Sequence, residues 1–91
     1  MQFIASISLD GRHRNEIERT LPAEQVRVRE LQRQGALRAL YVPEAPGAAA
    51  NLWAVFDGDS QAAVQHILET LPLYPYMQVE LTRLRDPEAG G

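Results

Sequence analysis

Ninety-one residues suit one domain near the lower size limit for closing a core unaided, and with no cysteine, disulfides, thiolate metal sites and cysteine nucleophiles are excluded. A net charge of −3 and a sequence pI of about 5.3 argue against a nucleic-acid partner. All nine basic residues are arginine, so no Schiff base or lysine general base exists here, and arginine holds anions without taking protons at neutral pH.

Gln2 to Leu9 alternates in period two with β-branched content and reads as a strand, closed by the turn pair Asp10-Gly11. These first residues do not read as a secretory leader, and no later stretch approaches transmembrane length, so the expectation is a cytoplasmic protein without a membrane partner. Residues 12–19 are polar, with Asn15 as the cap of a short helical lead-in. Thr20 is expected to cap the first main helix, with Pro22 in its first turn and Glu24 complementing the helix dipole. That helix runs to Gln34 and stops at Gly35, suited to the left-handed position that ends helices.

Ala36 to Pro43 reads as a strand, followed by a small-residue loop through Ala50. Asn51 to Asp57 reads as the next strand, and Gly58-Asp59-Ser60 as a capped turn. Gln61 to Leu71 reads as a second helix, with Ala63, Ile67 and Leu71 on one stripe and Val64 and Leu68 beside it. The run Leu71-Pro72-Leu73-Tyr74-Pro75-Tyr76-Met77 is stiff and apolar. Its prolines forbid regular pairing and push Leu71 and Tyr74 towards extended geometry, so it should pack against its own core or a neighbouring subunit. Met77 to Arg85 reads as the last strand.

The order βαββαβ predicts an α+β, ferredoxin-like fold over residues 1–85: one four-stranded antiparallel sheet with two helices on one face, and 86–91 as a flexible tail. The other sheet face would carry members of Ile4, Ser6, Ser8, Tyr41, Trp53, Gln78 and Glu80. A half-apolar open face predicts self-association as a dimeric α+β barrel.

Three segments then point to a family: Leu31-Gln32-Arg33-Gln34-Gly35 followed by Arg38, Val55-Phe56-Asp57, and the proline-tyrosine run at 71–77. In that order and spacing the chain resembles the muconolactone δ-isomerase family over nearly its whole length. The resemblance implies dimeric barrels assembled into a larger ring (a decamer in the family's type members), a small-molecule substrate, and no metal or organic cofactor. It also implies migration of a double bond in a small unsaturated lactone within aromatic catabolism. Such chemistry needs a base with a pKa moved towards neutrality, donors facing the developing oxyanion, and a cation for the substrate's carboxylate.

Glu24 falls where the family's first helix has an acidic residue and is the candidate proton-shuttling base; the plainer alternative is a dipole-stabilised glutamate with a lowered pKa, worth about 0.3–1 kcal/mol. Arg38 matches the family's arginine three residues after the helix-ending glycine and is the candidate carboxylate clamp; a surface pair with Glu80 or Glu30 is the alternative. Tyr41 and Trp53 are candidates to line a pocket against a flat lactone, or else pack in the core or an interface. His13 and His66 titrate near neutrality, but a solvated loop and a solvent-facing helix position account for them. The first strand, Ala5-Ser6-Ile7-Ser8, departs from the family's lysine-bearing pattern. That leaves two alternatives open: a cofactor-independent monooxygenase or cyclase acting on a larger aromatic or polyketide substrate, and a non-catalytic oligomeric binding module.

Overall fold

The computed structural model describes residues 1–44 and 51–87. Four strands, β1 (Gln2–Leu9), β2 (Leu37–Tyr41), β3 (Asn51–Asp57) and β4 (Met77–Leu84), and two helices, α1 (Arg14–Gln34) and α2 (Gln61–Glu69), follow the expected βαββαβ order. The sheet order is β2-β3-β1-β4, antiparallel throughout, which is the ferredoxin-like arrangement. The residues of the expected 45–50 loop and of the tail beyond 87 lie outside the described ones.

Alternation assigns the faces. Phe3, Ala5 and Ile7 of β1 and Ala54 and Phe56 of β3 are buried with Leu31 of α1 and Val64 and Leu68 of α2. Both helices therefore cover one face. The residues between them in register, Ile4, Ser6 and Ser8 against Val55, Trp53 and Asn51, form the open face.

The first helix starts earlier than its sequence suggests. It begins at Arg14 and carries Thr20 and Pro22 in its interior. The Thr20 hydroxyl donates to the Glu16 carbonyl at 2.7 Å, one turn back, where a cap was expected. Charge pairs along the polar lead-in favour the helix by about 0.2–0.5 kcal/mol each: Arg14 lies 3.7 Å from Glu18 and Arg19 4.0 Å from Glu16. At its far end Gly35 adopts φ 79°, and the Gly35 and Ala36 N–H groups donate to the Gln32 and Leu31 carbonyls at 3.1 and 3.0 Å.

The proline-tyrosine run also departs from expectation. Tyr74 is not extended but opens a short 3₁₀ turn, Tyr74–Tyr76. Two overlapping turns build it, with the Tyr74 N–H donating to the Leu71 carbonyl and the Tyr76 N–H to the Leu73 carbonyl, both at 2.9 Å. Pro72 sits second in the first of these turns, where its fixed φ is favourable. Leu71 and Leu73 are buried in the chain's own core. The tyrosines are also tied internally, Tyr74 by its hydroxyl to the Gln65 amide at 2.9 Å and Tyr76 by its ring against His13.

Candidate active site

A cleft of about 550 Å³ opens between α1 and the helix-covered sheet face. Its sheet wall is apolar, with Ile7, Leu37, Leu52, Ala54 and Phe56 among the lining residues, and Leu71, Leu73 and Met77 close one end. The opposite wall is α1. Leu21, Glu24, Val28 and Leu31 recur at three- and four-residue spacing and form one inner row. Gln25, Arg29 and Gln32 form a second row beside it and supply the remaining polar lining.

Glu24 is the buried charged residue of this wall, 9% exposed. Its Oε1 accepts the Leu73 N–H at 2.9 Å. This contact follows from the proline run: with Pro72 and Pro75 breaking the backbone pattern, the Leu73 N–H is held by a side chain instead. A buried amide left without an acceptor would cost about 1–3 kcal/mol. No further donor reaches the Glu24 carboxylate among the described residues. Burial dominates its acidity and raises its pKa above 4.5, partly offset by the Leu73 hydrogen bond.

The direction is opposite to that of the plainer alternative. Glu24 lies ten residues into a helix beginning at Arg14, beyond the first turn where the dipole favours a carboxylate. The environment instead raises the proton affinity of a cleft-lining carboxyl, as a general base at neutral pH requires.

The other candidates lie elsewhere. Tyr41 faces Trp53 across the β2–β3 ladder, and Trp53 faces Ser6, which faces Glu80 in turn. All four belong to the open face, with Tyr41 59% and Trp53 36% exposed. Arg38 is the extra residue where the β2–β3 register shifts between Leu37 and Ala39; it is exposed and does not line the cleft. The structure thus brings neither Arg38, Tyr41 nor Trp53 to Glu24. His66 is exposed on α2 and His13 lies 3.8 Å from Asp10, both away from the cleft. No group of three potential metal-ligating side chains occurs among the described residues, and no helix among them is long and apolar enough to cross a membrane.

Sequence reasoning missed Gln25, Arg29 and Gln32. Their i, i+4, i+7 spacing was available, but only the full length of α1 shows that this stripe borders the cleft.

An α+β ferredoxin-like sheet with a carboxyl sheltered in an apolar cleft defines the class. By comparison with known proteins, the chain matches the family model described as muconolactone delta-isomerase over residues 1–89. It is 31% identical to a muconolactone isomerase of known crystal structure, with a TM-score of 0.68 covering 96% of this chain and 92% of that one. It is 42% identical over 55 residues to the muconolactone Delta-isomerase of Acinetobacter baylyi, a match covering 60% of this chain and 54% of that protein. The matched stretch thus spans about half the length of that curated relative. The 5-chloro-2-hydroxyhydroquinone dehydrochlorinase of Burkholderia phenoliruptrix AC1100, solved with 2,5-dihydroxybenzoquinone, shares the fold at a TM-score of 0.77 and 98% coverage of both chains, with 10% identity. The chain belongs to the muconolactone δ-isomerase family.

Proposed function

We propose that this protein is a muconolactone δ-isomerase-like enzyme that shifts a double bond in an unsaturated lactone by proton transfer, with Glu24 as the shuttling base. The observation that carries the reading is the Glu24 carboxyl, sheltered on the wall of the cleft, held at one oxygen by the Leu73 N–H and raised in pKa by burial.

In this mechanism the Glu24 carboxylate removes a proton from a ring carbon activated through the conjugated lactone carbonyl. The electron pair spreads into a dienolate, and the Glu24 carboxyl returns the proton to a different carbon. No atom or electron is gained or lost. The Gln25 and Gln32 amides on the same wall are the donors available to the enolate oxygen. The apolar sheet wall keeps water from the intermediate.

Tyr41 and Trp53 enter this reading through the open face, as packing at a contact between copies of the chain. The support is the exposure of Tyr41 and Trp53 beside the half-buried Ile4 and Val55. A module without chemistry would keep Glu24 only as the acceptor for the Leu73 N–H; the family match over residues 1–89 is what favours the enzymatic reading.

The test is to follow the ultraviolet change on incubating purified protein with muconolactone. Conversion that Glu24→Gln abolishes is the expected result. No conversion at micromolar enzyme overturns the assignment to this lactone.

A further inference from the structure

The proton transfer uses neither the full size of the cleft nor Arg29 on its polar side. Sites of about 300–1,000 Å³ enclose drug-sized ligands, and the cleft measures about 550 Å³. That is several times the volume of one five-membered lactone with a short acid arm. Its polarity is also lopsided. Glu24, Gln25, Arg29 and Gln32 all come from α1, while Ile7, Leu37, Leu52 and Ala54 of the sheet are apolar.

A small lactone rich in oxygen would turn some of its polar atoms to this apolar wall, where each unpaired group is costly. A larger molecule with its polar groups at one end avoids that cost. Its apolar body fills the sheet side and its polar end meets α1.

Arg29 is the cation of this wall. It is exposed, and no carboxylate partner occurs for it among the described residues. Its neighbour Glu30 is instead 3.6 Å from Arg27. Arg29 follows Gln25 by one helical turn and lies about 7.5 Å further along the axis than Glu24, at 1.5 Å per residue. Arg29 is also about 140° round the axis from Glu24, at 3.6 residues per turn, but both line the cleft. A ligand reaching from the inner row to the exposed outer row can therefore meet the base at one end and a fork of donors at the other.

We infer that the substrate is a carboxylic acid with an enolisable, bulky apolar body, its carboxylate held by Arg29 and its body seated against the apolar sheet wall. This rests on the proposed role of Glu24, and deepens it by assigning the clamp to Arg29 rather than Arg38.

Calorimetric titration of the full chain tests this with four probes: muconolactone, its methyl ester, and the corresponding acids bearing a butyl or a phenyl group on the ring. Burying one methylene tightens binding about fourfold, so the butyl and phenyl acids should bind at least tenfold tighter than muconolactone. Arg29→Gln should weaken every acid at least tenfold, leave the ester unchanged, and be partly rescued in Arg29→Lys, which keeps the charge. Bulky acids binding no tighter than muconolactone overturn the apolar body. Equal losses for acid and ester in Arg29→Gln overturn the clamp. Tight, Arg29-dependent binding of acids that are never turned over supports this inference while refuting the isomerase reading.

Discussion

Replacing Glu24 by glutamine and by alanine separates its two roles. Glutamine keeps an Oε1 acceptor for the Leu73 N–H, now at 2.9 Å from the carboxylate, whereas alanine removes it. Orphaning that buried amide costs about 1–3 kcal/mol, and each kcal/mol lowers the melting temperature by about 4–8 °C in a chain of this size. Glu24→Ala should therefore melt well below Glu24→Gln at neutral pH. In activity both variants should lose the base equally, about 10²–10⁴-fold.

The pH dependence adds a sign. Burial raises the folded-state pKa of Glu24 above its ordinary value of 4.5. The stability it contributes is therefore fully present below pH 4.5 and lost as pH rises through the folded value. Wild type should fall behind Glu24→Gln in stability over that rise. Over the same rise its kcat/KM should climb as the carboxyl ionises. Thermal unfolding by circular dichroism across pH, beside ultraviolet progress curves, measures both. Equal melting temperatures for the two variants would refute the hydrogen-bond argument, and an unchanged rate in Glu24→Gln would refute the assignment of the base.

Leu68→Ala, at a position 0% exposed on the inner face of α2, should cost about 2–5 kcal/mol in a urea titration. Gly35→Ala should cost on the order of 1–2 kcal/mol in the same assay, because φ 79° is strained for any residue with a Cβ although open space surrounds it. Asp10 accepts the Arg12 side chain at 2.8 Å and the Arg12 backbone N–H at 3.0 Å, which hold its pKa at about 2. An NMR titration should find that midpoint, and Arg12→Gln should move it back towards 3.8.

Much of the fold was legible because it depends on local periodicity. The alternation of β1 and β3 and the Val64-Leu68 spacing of α2 each mark a buried face whatever the neighbours. The start of α1 was legible only in part: Asn15 signals a short helical lead-in, but as a piece separate from the main helix. Thr20-Leu21-Pro22 carries a strong helix-start signal, yet the helix is already running from Arg14 when it reaches them. The residues ahead of Thr20 set the surroundings of Glu24, since they move it from a dipole-stabilised first turn to a buried helix interior. Tyr74 was misread for a related reason: a preference before proline yields when two overlapping turns satisfy the backbone.

The candidate site divides in the same way. Sequence by itself determined the βαββαβ order and the family, because periodicity, turn chemistry and the 71–77 string are local properties, and it offered Glu24 as one candidate carboxylate. Tertiary structure alone decided that Glu24 meets the Leu73 N–H across 49 residues, that Arg29 rather than Arg38 borders its cleft, and that Tyr41 and Trp53 belong to the opposite face. The physical reason is that burial and facing depend on which layers pack together. A carboxyl acquires its raised pKa only when the sheet, the helix and the proline run close around it.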